Sequence, residues 1–401
     1  MKKSITIPDA MEKAMNDFLD NPDIIFADDT EHLKFRYGAF DKLKDWKKNR
    51  NCIVKNCSNI SIERSHTIQK AGSIKQIAEK GYVLSPAFNY KTEKIELKKI
   101  GINEASTFPG YCNLHENLFN NFEQAKDLKT DEDFGLQLYR TVCREIIINK
   151  NHLKRFDSLV SSYKIFRDKK IQETTIAKLD HNIFESSPIK IKKISIESFD
   201  YRLKAVSERR KEIIRYLNEF LYIYHNAILH DLQKKKFGKI AFIGMHFDVQ
   251  IPVAIAGRGN FIINLRTKRK NIEVIFNVLP YEDKTYIIIS SLKKNSKQLS
   301  NYMSYFAWNS LQVINMIESW MIHGTDHWFL KPSVWNSLNF NLQRKILDKS
   351  NDFKYNIGNE LEYTIFKEIK MEVIQEMENN YEKLTQPLID LLQKEKIKFD
   401  L

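Results

Sequence analysis

Along the chain the spacing of apolar positions changes several times, and each change marks an expected element. Residues 9–20, DAMEKAMNDFLD, put apolar side chains at roughly helical steps and predict a short helix. The next stretch, HLKFRYGAFDKLKDWKKNRN, is basic and aromatic and reads as helical around 38–49. From 52 to about 119 the pattern breaks into turns, punctuated by Gly72, Gly81, Pro86, Gly101, Pro109 and Gly110. Inside it, GYVLSPAF and KIELKKIGI predict short strands, the second alternating apolar and polar. Helical steps return from 119 to about 180, with Cys143 expected as a buried helix residue. Residues 184–197 are polar and contain Pro188, so a loop is expected there. Residues 199–236 then predict one long amphipathic helix.

At 237 the period shortens. FGKIAFIGMHFDVQIPVAIAG, NFIINLRTK, NIEVIFNVLPYE and KTYIIISSLKK predict a small antiparallel sheet across 239–293, with GRGN at 257–260 as a hairpin turn. Helix is expected again over 295–323, then a loop, HGTDHWFLKPSVWNSL, then helices to 401. No internal repeat or low-complexity tract interrupts this order. The expected class is α+β. A turn-rich module with its N-terminal helix spans 1–125, a helical connector 126–236, and a C-terminal α+β domain 237–401. A chain of 401 residues exceeds what one core usually serves, which agrees with two or three domains.

Composition narrows the classes. At 42% hydrophobic and 29% charged, the chain can bury real cores. It holds no apolar run of about 18 residues, so no membrane span is expected. MKKSITIPDAMEKAMNDFLDNPD lacks the apolar stretch of a secretory leader, and a cytoplasmic location is the expectation. The net charge is +13, and residues 31–99 hold 16 Lys and Arg against 7 Asp and Glu. Such a basic segment suits a polyanion such as nucleic acid. A solvated face in a Lys-, Ile- and Asn-rich chain accounts for the charge alone equally well.

Four cysteines, Cys52, Cys57, Cys112 and Cys143, are too few for a disulfide framework in a chain of this length. Three of them lie in the fragments C52-I-V-K-N-C57 and C112-N-L-H115-E116-N117. Thiolates and imidazoles are strong zinc ligands, and C-x4-C followed by C-x2-H makes a Cys3His set: Cys52, Cys57, Cys112 and His115. The 54 residues between the half-sites form an insertion that carries Ser65-His66. His66 is open to three readings here: a catalytic base, a histidine packed beside the metal, or a substitute ligand. The H-x3-H of His323 and His327, with Asp326, is interrupted by Gly324 and Thr325 and reads as a packed loop. His225 and His230 read as structural. Arg64 stands next to Ser65-His66 and is a candidate phosphate contact; Arg140 and Arg144 read as surface or salt-bridging residues.

The three fragments together resemble the zinc-containing HNH endonucleases of the His-Me finger, or ββα-metal, class over roughly residues 45–125. ASTFPGYCNLHENLF and TDHWFLKPSVW also look like pieces of a bacterial family of HNH-like proteins. The resemblance implies a ββα module stapled by structural zinc. It implies His66 as the base that activates water, and Glu116, with Asn117, as holder of a catalytic Mg²⁺ or Mn²⁺. The substrate would be nucleic acid, DNA before RNA. A host-defence effector role, against phage, is expected by analogy of class alone. The C-terminal region would select substrate, bind a protein partner or form a homo-oligomer. The sequence departs from the pattern in three ways. Ser65 stands where a carboxylate usually precedes the histidine, Glu116 stands where the last histidine would, and the central asparagine is either Asn103 or Asn113. A non-catalytic zinc module that grips nucleic acid or protein is the alternative.

Overall fold

The long apolar runs after residue 237 become strands because they are rich in β-branched residues and buried on both faces. The clearest is Thr285–Leu292, TYIIISSL, in which every residue is buried. The structure is a computed structural model. It describes residues 7–20, 30–31, 34–35, 47–48, 50–89, 92, 94–177, 200–264, 269–350, 356–380 and 385–399. Most of the helix expected around 38–49, and the loop expected at 184–197, lie outside these residues. The fold is α+β, as expected.

By its contacts the chain forms two units, residues 1–46 with 148–218, and residues 47–147 with 219–401. In the first, helix α1 (Ile7–Asp20) contributes Ala14 and Phe18 to a small core with Tyr163, Ile171 and Leu203. Asp200 caps the helix Tyr201–Tyr216 by accepting from the amides of Arg202 and Leu203, and it pairs with the buried Arg167 at 3.2 Å.

In the second unit the strands are β1 (Ser65–His66), β2 (Tyr82–Asn89), β3 (Lys94–Gly101), β4 (Thr107–Phe108), β5 (Ile240–Phe247), β6 (Val253–Asn264), β7 (Arg269–Pro280), β8 (Thr285–Leu292) and β9 (Trp328–Leu330). β1 pairs only with β4. The other seven form one antiparallel sheet in the order β3-β2-β9-β6-β7-β8-β5. Two expectations change here. The stretch HGTDHWFLKPSVWNSL is not all loop: its WFL is β9, which joins the β2–β3 hairpin to β6. The small sheet expected across 239–293 is therefore a seven-stranded one that includes the insertion between the two half-sites. The GRGN stretch is also not a turn. β6 runs straight through it, and Gly257 is glycine because a Cβ there would lie 2.3 Å from the Thr325 hydroxyl.

Within Ser310–Ser319 every residue from Leu311 on is buried, the apolar ones in the main core and Asn315 and Glu318 in a polar cluster, and the Phe276 and Trp320 rings lie 4.8 Å apart. The long helix expected over 199–236 is present as Tyr201–Tyr216 and Tyr222–Lys234, joined by a π-helical turn at Leu217–Leu221. The helix expected over 295–323 is broken between Phe306 and Ser310, where Asn309 caps the second segment. Cys143 is fully buried, as expected. Gln137, on the helix Asp131–Ala177, donates to the Thr67 carbonyl at 3.0 Å and to Asn277 Oδ1 at 2.9 Å. That side chain ties the β1 segment to β7. Among the described residues no helix is long and apolar enough to cross a membrane.

Candidate metal centre and histidine site

The first half-site is a tight knuckle. The Cys52 amide donates to the Asn59 carbonyl and the Cys57 amide to the Val54 carbonyl, with Asn56 left-handed at φ 65° between them. The knuckle is tied to the second half-site by Ile53 N–H to Gly110 O at 2.9 Å and Ile62 N–H to Tyr111 O at 2.7 Å. Gly110 must be glycine, since a Cβ would meet the Phe108 ring at 2.3 Å. Cys112 caps the short helix Asn113–Glu116, and the three-residue step to His115 spans one turn, so thiol and imidazole face the same way.

The four expected ligands come together. Their ligand atoms all lie within 4.8 Å of one another. His115 Nδ1 is 3.4 Å from Cys52 Sγ and 3.3 Å from Cys112 Sγ, and Cys57 Sγ is 3.9 Å from Cys112 Sγ. A tetrahedral zinc with ordinary bond lengths has S–S edges of about 3.8 Å and S–N edges of about 3.5 Å. The donor set and its spacing therefore fit a metal ion such as zinc. Burial pushes the Cys52 thiol up to about 11. A bound cation would supply the charge that lets this buried sulfur ionise.

His66 is not part of this quartet. It sits half-buried on β1, opposite Thr107 on β4. Its Nδ1 donates to the Ala105 carbonyl at 3.0 Å. A carbonyl only accepts, so Nδ1 carries the proton and Nε2 is left as an acceptor. Ser106, next along, is left-handed at φ 64°, and its carbonyl and hydroxyl receive the amides of Thr67 and Ile68. The loop that presents the Ala105 carbonyl is thus bonded to the two residues that follow the histidine strand. Burial holds the His66 pKa below the usual histidine value. Arg140 and Lys70 push the same way, against the Ala105 carbonyl and Glu123. The imidazole is neutral at pH 7.

Glu116 follows His115 on the same short helix. Its Oε1 lies 3.4 Å from Arg140 Nη2, and Glu123 Oε1 lies 2.7 Å from Arg140 Nη1. Arg140 is fully buried, with its guanidinium 3.9 Å from the centre of the Phe119 ring. The surface reading of Arg140 fails and the salt-bridging one holds: the helix Asp131–Ala177 turns it inward onto two carboxylates. Burial raises the Glu116 pKa, opposed by Arg140 and then by Ser65. The second oxygen, Oε2, is buried with no hydrogen-bond partner, and so is Arg140 Nε. Asn117 is exposed, and its Oδ1 accepts from Asn120 Nδ2 at 3.1 Å.

Arg64 is exposed and pairs with Glu104 at 2.6 Å, and Arg144 pairs with Glu145 at 2.5 Å. Asn103 accepts from Lys70 at 3.3 Å, whereas Asn113 lies exposed at the helix start. His327 is buried and its Nδ1 donates to the Ala256 carbonyl at 2.7 Å, in line with a packed loop. Sequence reasoning missed Glu123, the Ala105 carbonyl and Lys47, which donates to Thr107 at 2.8 Å. None of the three left a local signal: Glu123 stands on the helix Asn120–Ala125, beyond the turn that ends the helix of Glu116. No protein-family model matches the chain, and neither does any curated protein or solved structure.

Proposed function

We propose that this chain is a metal-dependent endonuclease that hydrolyses phosphodiester bonds of nucleic acid, DNA before RNA, at an HNH-like site. The observation that carries the reading is His66. A neutral imidazole with its Nδ1 proton committed to Ala105 presents Nε2 as a base, on a two-stranded antiparallel pair that precedes a short helix, beside a quartet that fits a metal ion. In this reading His66 Nε2 takes a proton from the attacking water. Ala105 keeps the ring oriented and shares the charge the imidazolium then carries. Ser65, buried with its hydroxyl 3.2 Å from the Tyr111 amide, locks β1 against the second half-site. The quartet makes no chemical contribution; zinc there holds together a module with little core of its own.

Glu116 Oε2 is the atom that fits a divalent cation, being a buried carboxylate oxygen without a hydrogen-bond partner. Asn117 fits less well, exposed and already bonded to Asn120. Bound there, Mg²⁺ or Mn²⁺ would neutralise charge on the phosphate and leaving oxygen.

One observation favours a second reading, a zinc-stabilised module that binds nucleic acid without cutting it. The buried Arg140 guanidinium already bridges Glu116 and Glu123, which is the place a catalytic cation would need. Plasmid nicking decides between them. Wild type and His66→Ala are assayed with Mg²⁺ and with Mn²⁺, and zinc content is measured on both. Cutting by wild type alone, with zinc equal in both, is the expected result. Salt-sensitive binding without cutting under either cation supports the second reading instead.

A further inference from the structure

The seven-stranded sheet ends on β3 at one side and on β5 at the other, and the two edges are built differently. β3 carries Lys94, Lys98 and Lys99. Charges along a strand keep an edge from pairing with another chain. β5 reads IAFIGMHF and holds no lysine, acid or proline. Among the described residues it pairs with β8 alone.

The ladder shows which backbone groups of β5 are left over. The Lys293 amide donates to the Lys239 carbonyl at 2.9 Å, and the Ser290 hydroxyl to the Ala241 carbonyl at 2.8 Å. Odd-numbered residues therefore turn their N–H and C=O groups toward β8, and even-numbered ones turn theirs away. Asp231 Oδ2 already accepts from the Ile240 amide at 3.0 Å. The groups of Phe242, Gly244 and His246 remain, and among the described residues no other segment bonds them. A groove lined by Phe134, Phe237, Ser296, Leu299 and Ser300 runs beside Ile240–Gly244. On one face of the strand Ala241, Ile243, Met245 and Phe247 pack against the main core yet stay only half-buried.

The two ends of this edge carry opposite charge. Lys236, Lys239, Lys293 and Lys294 are exposed at the N-terminal end, where Ile240 lies opposite Leu292. Of the acids there, Asp131 lines the groove and Glu132 pairs with Lys235 at 3.9 Å. Asp248, Glu282 and Asp283 are exposed at the other end, where Phe247 lies opposite Thr285, and Lys284 pairs with Asp127 at 3.2 Å. An antiparallel copy of β5 brings the basic end of each chain against the acidic end of the other. A parallel copy would set like charge on like.

We propose that β5 is a dimer edge, at which a second copy of this chain pairs antiparallel about a two-fold axis at Gly244 and joins the two sheets. In that register Phe242 pairs with His246 of the second copy and Gly244 with its own counterpart, so the Ile240 amide keeps its bond to Asp231. On the core face Ile243 meets Met245 of the second copy, and Ala241 meets its Phe247. Gly244 puts no side chain at the axis, and the Phe134 ring lies 3.1 Å from where its Cβ would stand. The dimer edge is independent of the nuclease reading.

Sedimentation velocity of the full chain over a concentration series tests it. A dimer is expected. His246→Pro removes one outward amide, which an open edge tolerates and a paired one does not, and is expected to weaken the dimer about tenfold or more. Lys98→Ala, on the opposite edge, is expected to change the dimer constant by less than about twofold. A chain that stays monomeric up to about 100 µM overturns the proposal and leaves the edge to a segment of another protein. A dimer that His246→Pro leaves unchanged overturns it too, by placing the contact elsewhere. Should His246→Pro melt early, amide exchange of the unmodified chain decides, read below and above the concentration at which the dimer forms. Gly244 and His246 amides protected only in the dimer support the edge, and equal protection in both overturns it.

Discussion

Two clusters of buried charge in the second unit are built from the same side-chain types and differ in how completely they close. In one, Lys370 is fully buried and donates to Asn315 Oδ1 at 2.6 Å, Glu318 Oε2 at 2.7 Å and Glu395 Oε2 at 2.9 Å. Glu318 Oε1 accepts from Thr364 and from the amides of Ile365 and Phe366, just before the helix Lys367–Asn380. Glu395 Oε1 accepts from Asn315 and Lys398. Two cations face two anions, and every named oxygen has a partner. In the other, Arg140 faces Glu116 and Glu123, two anions to one cation, and Glu116 Oε2 and Arg140 Nε have no partner although buried. A closed network is a clasp: it fixes one packing and has nothing left to offer a ligand. An open one with surplus negative charge, beside a neutral histidine, is where a ligand has something to bind.

The largest effect tests what holds the open cluster in place. Cys112→Ser, or chelation, is expected to remove a metal that contributes on the order of 10 kcal/mol to local order. Amide exchange should then lose protection in residues 50–125 and keep it in β7 and β8. A module that stays protected without metal would show that its own packing suffices.

Lys370→Met comes next. It leaves Glu318 buried without its cation and Glu395 with Lys398 alone, and the expected loss is about 3–5 kcal/mol. Denaturant titration measures it, and the metal quartet should stay intact. Arg140→Gln sharpens the contrast, because Glu116 and Glu123 are 23% and 26% exposed and can rehydrate. Its stability cost is expected at about 1–3 kcal/mol. Its affinity for Mn²⁺, read by calorimetry, is expected to rise about tenfold, which corresponds to about 1.4 kcal/mol. A loss as large as that of Lys370→Met, with no gain for Mn²⁺, would make both clusters clasps.

The smallest effect is the response to pH. Burial opposes ionisation of Glu395, but Lys370 and Lys398 outweigh it and hold its pKa below the ordinary carboxylate value. Its contribution to stability is whole above about pH 4.3 and is lost as pH falls further, through the folded value. His66 is shifted down as well, so here too the unfolded chain takes up the proton first. Stability from this group therefore rises with pH and falls off below about 6.5. Nicking should hold level down to pH 6.5 and decline only below it, while a melting series separates the two windows. A decline centred above 6.5 would mean that a different group sets the acid limb.

The Cys and His quartet that could hold a metal was legible because its pattern is local: two pairs at fixed short spacing, each on one turn or one knuckle. The strands of the hairpin and of 240–292 were legible because burial on one or both faces writes itself into alternating or continuous apolar runs. β9 was not, since three residues are too few to show a period and its place in the sheet is decided by the strands on either side. Gly257 looked like a turn because glycine punctuates turns more often than it makes room for a threonine. Arg140, Glu116 and Glu123 are far apart or on different helices, and no spacing rule predicts that one guanidinium bridges both acids.

By itself the sequence determined which four residues could hold a metal, most of the order of helices and strands, and the histidine worth asking about. These depend on covalent chemistry and on periods of two and 3.6 residues, which act over a few neighbours. The tertiary structure alone decided that Lys370 is clasped, that Arg140 covers Glu116, and that Lys47 reaches the Thr107 hydroxyl. Those pairings join residues 24 to 60 positions apart. They are set by which surfaces pack together, and that depends on the whole core at once.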